Sequence, residues 1–370
     1  MIVDAKAKLA RLLIHYGAEV HKGDLVSLQS EIAGSPLIRE LYRETVRVGA
    51  YPVCRLSLPD QQEIFLREAP EELLRHCPEY LLREVRSFDV SIRILAKENT
   101  QQLAGVDPER EAIHRQALSS VNDAFWKRMA PNAEHPLRWA ISLYPTNAVA
   151  QDAGMSLSGF YDFVWRACFV DQDDPVAAWV ELGRQQRELI DRIKGGRKLR
   201  IVGDGTDLVV SIDGRRWVND DGRKNMPGGE IFTSPVESSA NGRIRFTPPA
   251  SMFGRRVEGV DLEFRDGRVE KHSARYEEAF LGQMLALDAG ARYVGEIAFG
   301  NNPNINQFTG NVLFDEKVAG TMHLAIGASI PECGGKNQSL LHWDMVCDLR
   351  SGGEVYVDGE LFQRDGAFVT

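Results

Sequence analysis

A chain of 370 residues, 43% hydrophobic and 26% charged, has the texture of an ordinary soluble globular protein and is long enough for two domains. A formal net charge of -9 excludes a nucleic-acid surface, which demands a basic patch, and five scattered cysteines without a Cys-x-x-Cys pair read as reduced thiols of a cytoplasmic protein. No apolar leader core follows Met1, and no run approaches the ~20 apolar residues of a membrane span, so secretion and membrane insertion are unsupported.

In chain order, Leu9, Leu12, Leu13 and Tyr16 at helical spacing predict a first helix over 5–16. The turn Lys22-Gly23-Asp24 leads into a short strand. Ser35-Pro36 then opens a helix with Leu37, Ile38, Leu41, Tyr42 and Val46 on one stripe, and Tyr51 to Leu56 is strand-like again. Strand, helix, strand in so short a span is a βαβ unit and implies a parallel sheet. A second cycle follows: Val90 to Leu95 as strand, a charged helix over 107–130 with Ile113, Leu118, Val121 and Phe125 inside, and Arg138 to Tyr144 as strand. Helices over 156–169 and 175–193 complete an open α/β sandwich domain, 1–196, which ends at the linker Gly195-Gly196. Neither a Gly-x-Gly-x-x-Gly turn nor a Gly-x-x-x-x-Gly-Lys-Ser/Thr loop stands at its strand-to-helix junctions, so the usual cradles for dinucleotides and nucleoside triphosphates are missing. From 197 to 370 the texture becomes β, predicting a β-rich α+β domain. Asp213-Gly214 and Asp266-Gly267 signal hairpins, and only 276–289, with Phe280, Met284 and Leu287 on one stripe, reads as a helix.

The residues that carry chemistry lie in this second half. Glu230, Glu296, His323, His342 and Asp344 sit in segments that read as strand ends and strand-edge loops. Three carboxylates and two imidazoles are enough for two divalent ions and suit Zn, Co, Mn or Mg. Residues two apart in a strand share a face, so His342 and Asp344 can grip one ion; a plain His-Asp hydrogen-bonded pair is the structural alternative. Two ions held close need a bridging carboxylate, and Glu230, in a Gly-Gly turn, is the expected one. Glu316 and Glu237 are both candidates for moving the proton to a leaving amine, and the sequence does not choose between them. Asp315, Glu316 and Lys317 read equally well as a turn with solvated charges. Asp348 is open to a role beside a ligand imidazole or to none. The other six histidines have no partners in sequence, Cys333 reads as a buried inert thiol, and no Gly-x-Ser-x-Gly elbow supports a serine hydrolase.

Asn225-Met-Pro-Gly-Gly-Glu-Ile-Phe-Thr-Ser-Pro-Val-Glu237, Gly310-Asn-Val-Leu-Phe-Asp-Glu-Lys317, Gly334-Gly-Lys-Asn337 and His342-Trp-Asp-Met-Val-Cys-Asp-Leu349 closely resemble the thermophilic aminopeptidase T family, the M29 metallopeptidases. The resemblance covers essentially the whole chain. It implies a two-metal aminopeptidase acting on short peptides, a homodimer, a second domain that is the metal-binding catalytic one, and metal ligands at Glu230, Glu296, His323, His342 and Asp344. One departure stands out: many members have tyrosine where this chain has Ile330. The alternative from another class is a mononuclear Fe(II) ring-cleaving dioxygenase, because His323, His342 and Asp344 also make a facial triad and dihydroxypyridine dioxygenases resemble the same fold. Such a site has no need of Glu230 and Glu296.

Overall fold

The computed structural model describes residues 4–130 and 133–369; Met1, Ile2 and Val3, part of the stretch read for a leader, lie outside the described residues. The chain forms two compact units, the first running to Val176 and including Gly222–Met226, the second comprising Ala177–Asp221 and the residues from Pro227 on.

The first unit is built on a four-stranded parallel sheet of β1 (Leu25–Glu31), β2 (Tyr51–Ser57), β3 (Val90–Leu95) and β4 (Arg138–Leu143), in the order β2-β1-β3-β4. Two strand-helix-strand cycles give this parallel order, as the sequence pattern predicts. The helix Ser35–Val48 carries Pro36 in its first turn and ends at Gly49 with φ +84°. It buries Leu37, Ile38 and Leu41, but Tyr42 and Val46, expected on the same stripe, are 46% and 52% exposed. At 100° per residue the buried arc continues instead through Glu44 and Thr45. Both polar groups are satisfied there: His15 Nε2 lies 2.9 Å from the Glu44 carboxylate, and Thr45 Oγ1 donates to the Leu41 carbonyl. The charged helix expected over 107–130 is two helices, Pro108–Ala117 and Ser119–Met129, broken at Leu118, and no residue of either is fully buried. Helices Gln61–Glu68 and Glu79–Ser87 were not legible in the sequence.

The second unit contains β5 (Lys198–Gly203), β6 (Thr206–Ser211), β7 (Val218–Asp220), β8 (Glu230–Thr233), β9 (Asn241–Phe246), β10 (Ala250–Met252) and β11 (Arg255–Val257). It continues through β12 (Val260–Arg265), β13 (Arg268–Ser273), β14 (Val294–Gly300), β15 (Thr321–Gly327), β16 (His342–Asp348), β17 (Glu354–Val357), β18 (Glu360–Arg364) and β19 (Ala367–Phe368). An eight-stranded antiparallel sheet runs β13-β12-β9-β6-β5-β17-β18-β19, and a five-stranded antiparallel sheet runs β16-β15-β14-β8-β7. The Asp266-Gly267 hairpin joins β12 and β13 as predicted, with φ +48° and +86°. Asp213-Gly214 does not make a hairpin. It is the turn by which the chain leaves β6 in one sheet for β7 in the other, and the hairpin of β5 and β6 turns at Asp204-Gly205, where Gly203 pairs with Thr206. The predicted helix over 276–289 is the shorter Glu278–Leu285.

Both sheets contribute to a single apolar cluster. Leu199, Ile201, Leu208, Ile244, Phe246 and Val355 come from the larger one, and Ile231, Ile297, Phe299, Met322, Leu324, Ile326, Trp343 and Met345 from the smaller. The five-stranded sheet therefore has one face committed to the core. No helix among the described residues is long and apolar enough to cross a membrane.

Candidate metal centre

Strand alternation places the candidate residues on the other face of the five-stranded sheet. In β15 Met322, Leu324 and Ile326 belong to the core cluster, so His323 points the opposite way. In β16 Trp343 and Met345 are core, which turns His342 and Asp344 outward together; Ile297 does the same for Glu296 in β14, and Ile231 for Glu230 in β8. The register then brings them side by side. Ala325 is opposite both Glu296 and Asp344, and Ala298 is opposite His323. Methyl groups at these two positions form a low floor between the longer side chains.

Glu296 is the hub, with Oε1 3.7 Å from His323 Nε2 and Oε2 3.2 Å from His342 Nε2. Asp344 Oδ1 lies 3.5 Å from His342 Nε2 and 4.0 Å from His323 Nε2, and Glu230 Oε2 lies 3.4 Å from His323 Nε2. His342 Nδ1 donates to the Ala328 carbonyl at 2.8 Å, which orients the ring and aims Nε2 at the carboxylates. Among the described residues, two groups of side chains have donor atoms within 4.8 Å of one another: Glu296, His323 and Asp344, and Glu230, Glu316 and His323.

Glu316 and Lys317 are the residues sequence reasoning left among solvated turn charges, and the structure reverses that reading. The Lys317 side chain is 0% exposed; its Nζ lies 3.0 Å from Glu230 Oε1 and 3.9 Å from Asp220 Oδ2, and it is hydrogen-bonded to Glu316. Burial of a charged pair leaves no mark on local sequence periodicity, so only an expectation that the whole run folds inward could have found it. Glu237, the other proton-transfer candidate, is elsewhere: Arg215 at 2.6 Å and the Lys336 N–H at 2.7 Å occupy its oxygens. Asp348 pairs with Arg350 at 2.7 Å rather than with an imidazole. Ile330 donates its backbone N–H to Ser234 Oγ at 2.8 Å and offers no hydroxyl. The glycines before Glu230 serve a close packing contact: Gly229 has φ +119°, and a Cβ there would fall 2.5 Å from that of Asn302, whose Nδ2 donates to the Gly228 carbonyl.

The electrostatics are those of a crowded anionic cluster. Burial penalises the charge on Glu296, yet the neighbouring His323 and His342 outweigh it and hold its carboxyl below the usual value. Asp344 is likewise held far down, its burial more than offset by His342 and His323. Burial disfavours the His323 imidazolium, but Glu230, Glu296 and Glu316 together push it up to about 9, and Asp344 and Glu296 raise His342. Glu316 moves the other way: burial, partly countered by Lys317 and reinforced by Asp344 and Glu230, pushes it up to about 8. In the absence of a bound ion, the imidazole protons neutralise carboxylates that crowd one another. Glu230 Oε2, Asp344 Oδ1 and His323 Nδ1 are buried without a hydrogen-bond partner. Orphaned carboxylate oxygens beside imidazoles that can give up their protons are what a divalent cation would satisfy, so the residues present fit a metal.

The family described as thermophilic metalloprotease (M29) matches residues 4–368. Aminopeptidase T of Thermus thermophilus is 29% identical over 95% of this chain and 93% of its own. The solved structure of wild-type AmpT from Thermus thermophilus aligns with a TM-score of 0.84 at 25% identity over 99% of both chains. A 2,5-dihydroxypyridine dioxygenase from Pseudomonas putida KT2440 aligns over 99% of this chain and 97% of its own with a TM-score of 0.58 at 14% identity, a likeness of fold alone. A match running from residue 4 to residue 368 embraces both units, and the chain belongs to the thermophilic metalloprotease (M29) family of hydrolases.

Proposed function

We propose that the protein is an aminopeptidase that removes N-terminal residues from short peptides, and that Glu230, Glu296, Glu316, His323, His342 and Asp344 hold two divalent ions, drawn from Zn, Co, Mn or Mg. The observation that carries this reading is the convergence of orphaned carboxylate oxygens and imidazole Nε2 atoms on one sheet face, in a chain whose relatives are named aminopeptidases. Ions bound by these residues would supply Lewis acidity toward a scissile carbonyl and a water that ionises near neutral pH.

The protein's own groups divide the remaining work. Glu296, whose two oxygens face the two imidazoles, would hold an ion together with His323, His342 and Asp344, whereas Glu230, expected from the sequence to bridge, has its Oε1 taken by Lys317. The Ala328 carbonyl orients His342. Of the two proton-transfer candidates, Glu316 lies within the cluster beside Glu230, whereas both oxygens of Glu237 are engaged by Arg215 and the Lys336 N–H. The extra buried carboxylates Glu230 and Glu316 weigh against the mononuclear iron reading, whose facial triad does not use them. Five free cysteines suit a reducing cytoplasm, and we extend the proposal to a homodimer on the family resemblance.

The test is a matched set of leucine-containing di- to pentapeptides, their N-acetyl forms and an unfolded protein, each followed by mass spectrometry with Co or Zn supplied. Stepwise loss from free N-termini without internal cuts is the expected result. Cleavage of the acetylated peptides would refute the reading, because acetylation removes the amine that an exopeptidase must recognise.

A further inference from the structure

A fully buried lysine among metal-competent carboxylates calls for its own explanation, because a lysine without compensating charge is costly to bury. Lys317 is held rigidly: its N–H donates to the Phe314 carbonyl, and its own carbonyl accepts from Asn302 N, the residue that also packs against Gly229 just before Glu230. Its ammonium pairs with Glu230 Oε1, Glu316 Oε2 and Asp220 Oδ2, a set that leaves out Glu296, His342 and Asp344. Of the two ion-competent groups, the one containing Glu230 and Glu316 therefore shares both its carboxylates with a fixed positive charge. The other shares neither.

We propose that Lys317 is a resident monovalent cation of the centre that makes its two ion sites unequal, a tight one at Glu296, His323, His342 and Asp344 and a weaker, exchangeable one at Glu230 and Glu316. This rests on the two-ion reading above. The ammonium acts on the weaker site in two ways. It takes one oxygen of Glu230, so that Oε2 alone remains for an ion, and it repels a dication across the same carboxylates. It also balances charge. With all five ionised, as bound ions would require, Asp220, Glu230, Glu296, Glu316 and Asp344 bring five negative charges, of which one ammonium leaves four, the number that two divalent ions neutralise. Lys317 is thus a positioning residue: it fixes how Glu230 and Glu316 present themselves and how firmly the second ion is held.

The experiment titrates the metal-free full-length protein with Zn and with Mn by calorimetry, counts the ions retained after dialysis, and repeats both with Lys317→Met and Lys317→Arg. The expected wild-type isotherm has two steps separated by at least ~10-fold, with one ion retained on dialysis. Lys317→Met, of similar length but neutral, should strengthen the weak step by ~10-fold or more, while Lys317→Arg keeps the separation. Two equal steps in the wild type would overturn the role of Lys317, and so would a weak step unchanged in Lys317→Met. If the methionine variant does not fold, Lys317→Gln, neutral and still able to donate a hydrogen bond to Glu316, is titrated in its place with the same expectation. One ion in both wild type and Lys317→Met would overturn the two-ion reading itself.

Discussion

The substitution Glu296→Gln separates the metal-holding role of the cluster from its part in the fold. It conserves shape, removes one negative charge, and turns an amide N–H₂ toward an imidazole that now faces an acceptor at 3.2 or 3.7 Å. Without metal, the remaining carboxylates still balance Lys317 and the two imidazolium groups, so the loss of stability should stay within ~1 to 2 kcal/mol. With metal the difference is larger. An ion present at a thousand times its dissociation constant stabilises the folded state by about 4 kcal/mol, and in a unit of ~150 to 250 residues each kcal/mol raises Tm by ~2 to 4 °C. The wild type should therefore gain roughly 8 to 16 °C per tightly held ion. Glu296→Gln, having lost the carboxylate that faces both imidazoles, should keep less than half of that gain and lose hydrolysis of leucine amide. The assay is a thermal melt of metal-free and metal-loaded protein, run beside the hydrolysis assay. An undiminished metal-linked gain together with full activity in Glu296→Gln would refute the geometry argued above.

The metal-free protein should lose stability on the alkaline side. His323 is raised from 6.5 to about 9, so its contribution is complete below pH 6.5 and fades as pH climbs through 9; ions added over the same window displace protons and should flatten the curve, and a metal-free Tm that rises from pH 6.5 to 9 would contradict this. Gly229→Ala should cost at least ~2 kcal/mol, because its φ of +119° and the Asn302 Cβ at 2.5 Å forbid a methyl group without displacing the segment that ends in Glu230. A urea titration checks the stability, and reduced metal retention in the same variant reports the displaced carboxylate.

What the sequence made legible follows from the period of a strand. His342 and Asp344 stand two apart with Trp343 and Met345 between and beyond them, and that alternation alone puts both donors on one face. The hairpin at Asp266-Gly267 and the parallel βαβ order were visible for the same local reasons. Misreadings arose where a local signal had more than one use. Asp213-Gly214 is a tight turn, but tightness does not say whether the next strand joins the same sheet. Leu118 fits an apolar stripe, yet with so little of the surrounding helix buried nothing holds the two halves in one continuous rod. Lys317 was hidden most completely, because a lysine in a turn looks solvated until segments nearly ninety residues apart, at Glu230 and Lys317, are brought together.

The pairing of β5 with β17 also sets the order in which this enzyme can be completed. Val202 pairs with Glu354 and Leu199 with Val357, so a strand made early in the second unit waits for a partner about 150 residues later. All the donors from Glu230 to Asp344 will have left the ribosome before that partner does, and the apolar face of β14 then lacks Phe362 and Phe368, against which Phe299 packs. During synthesis the donor strands are thus an exposed, sticky surface. A chain cut short before β17 would carry every donor and still leave part of the sheet that aligns them uncovered.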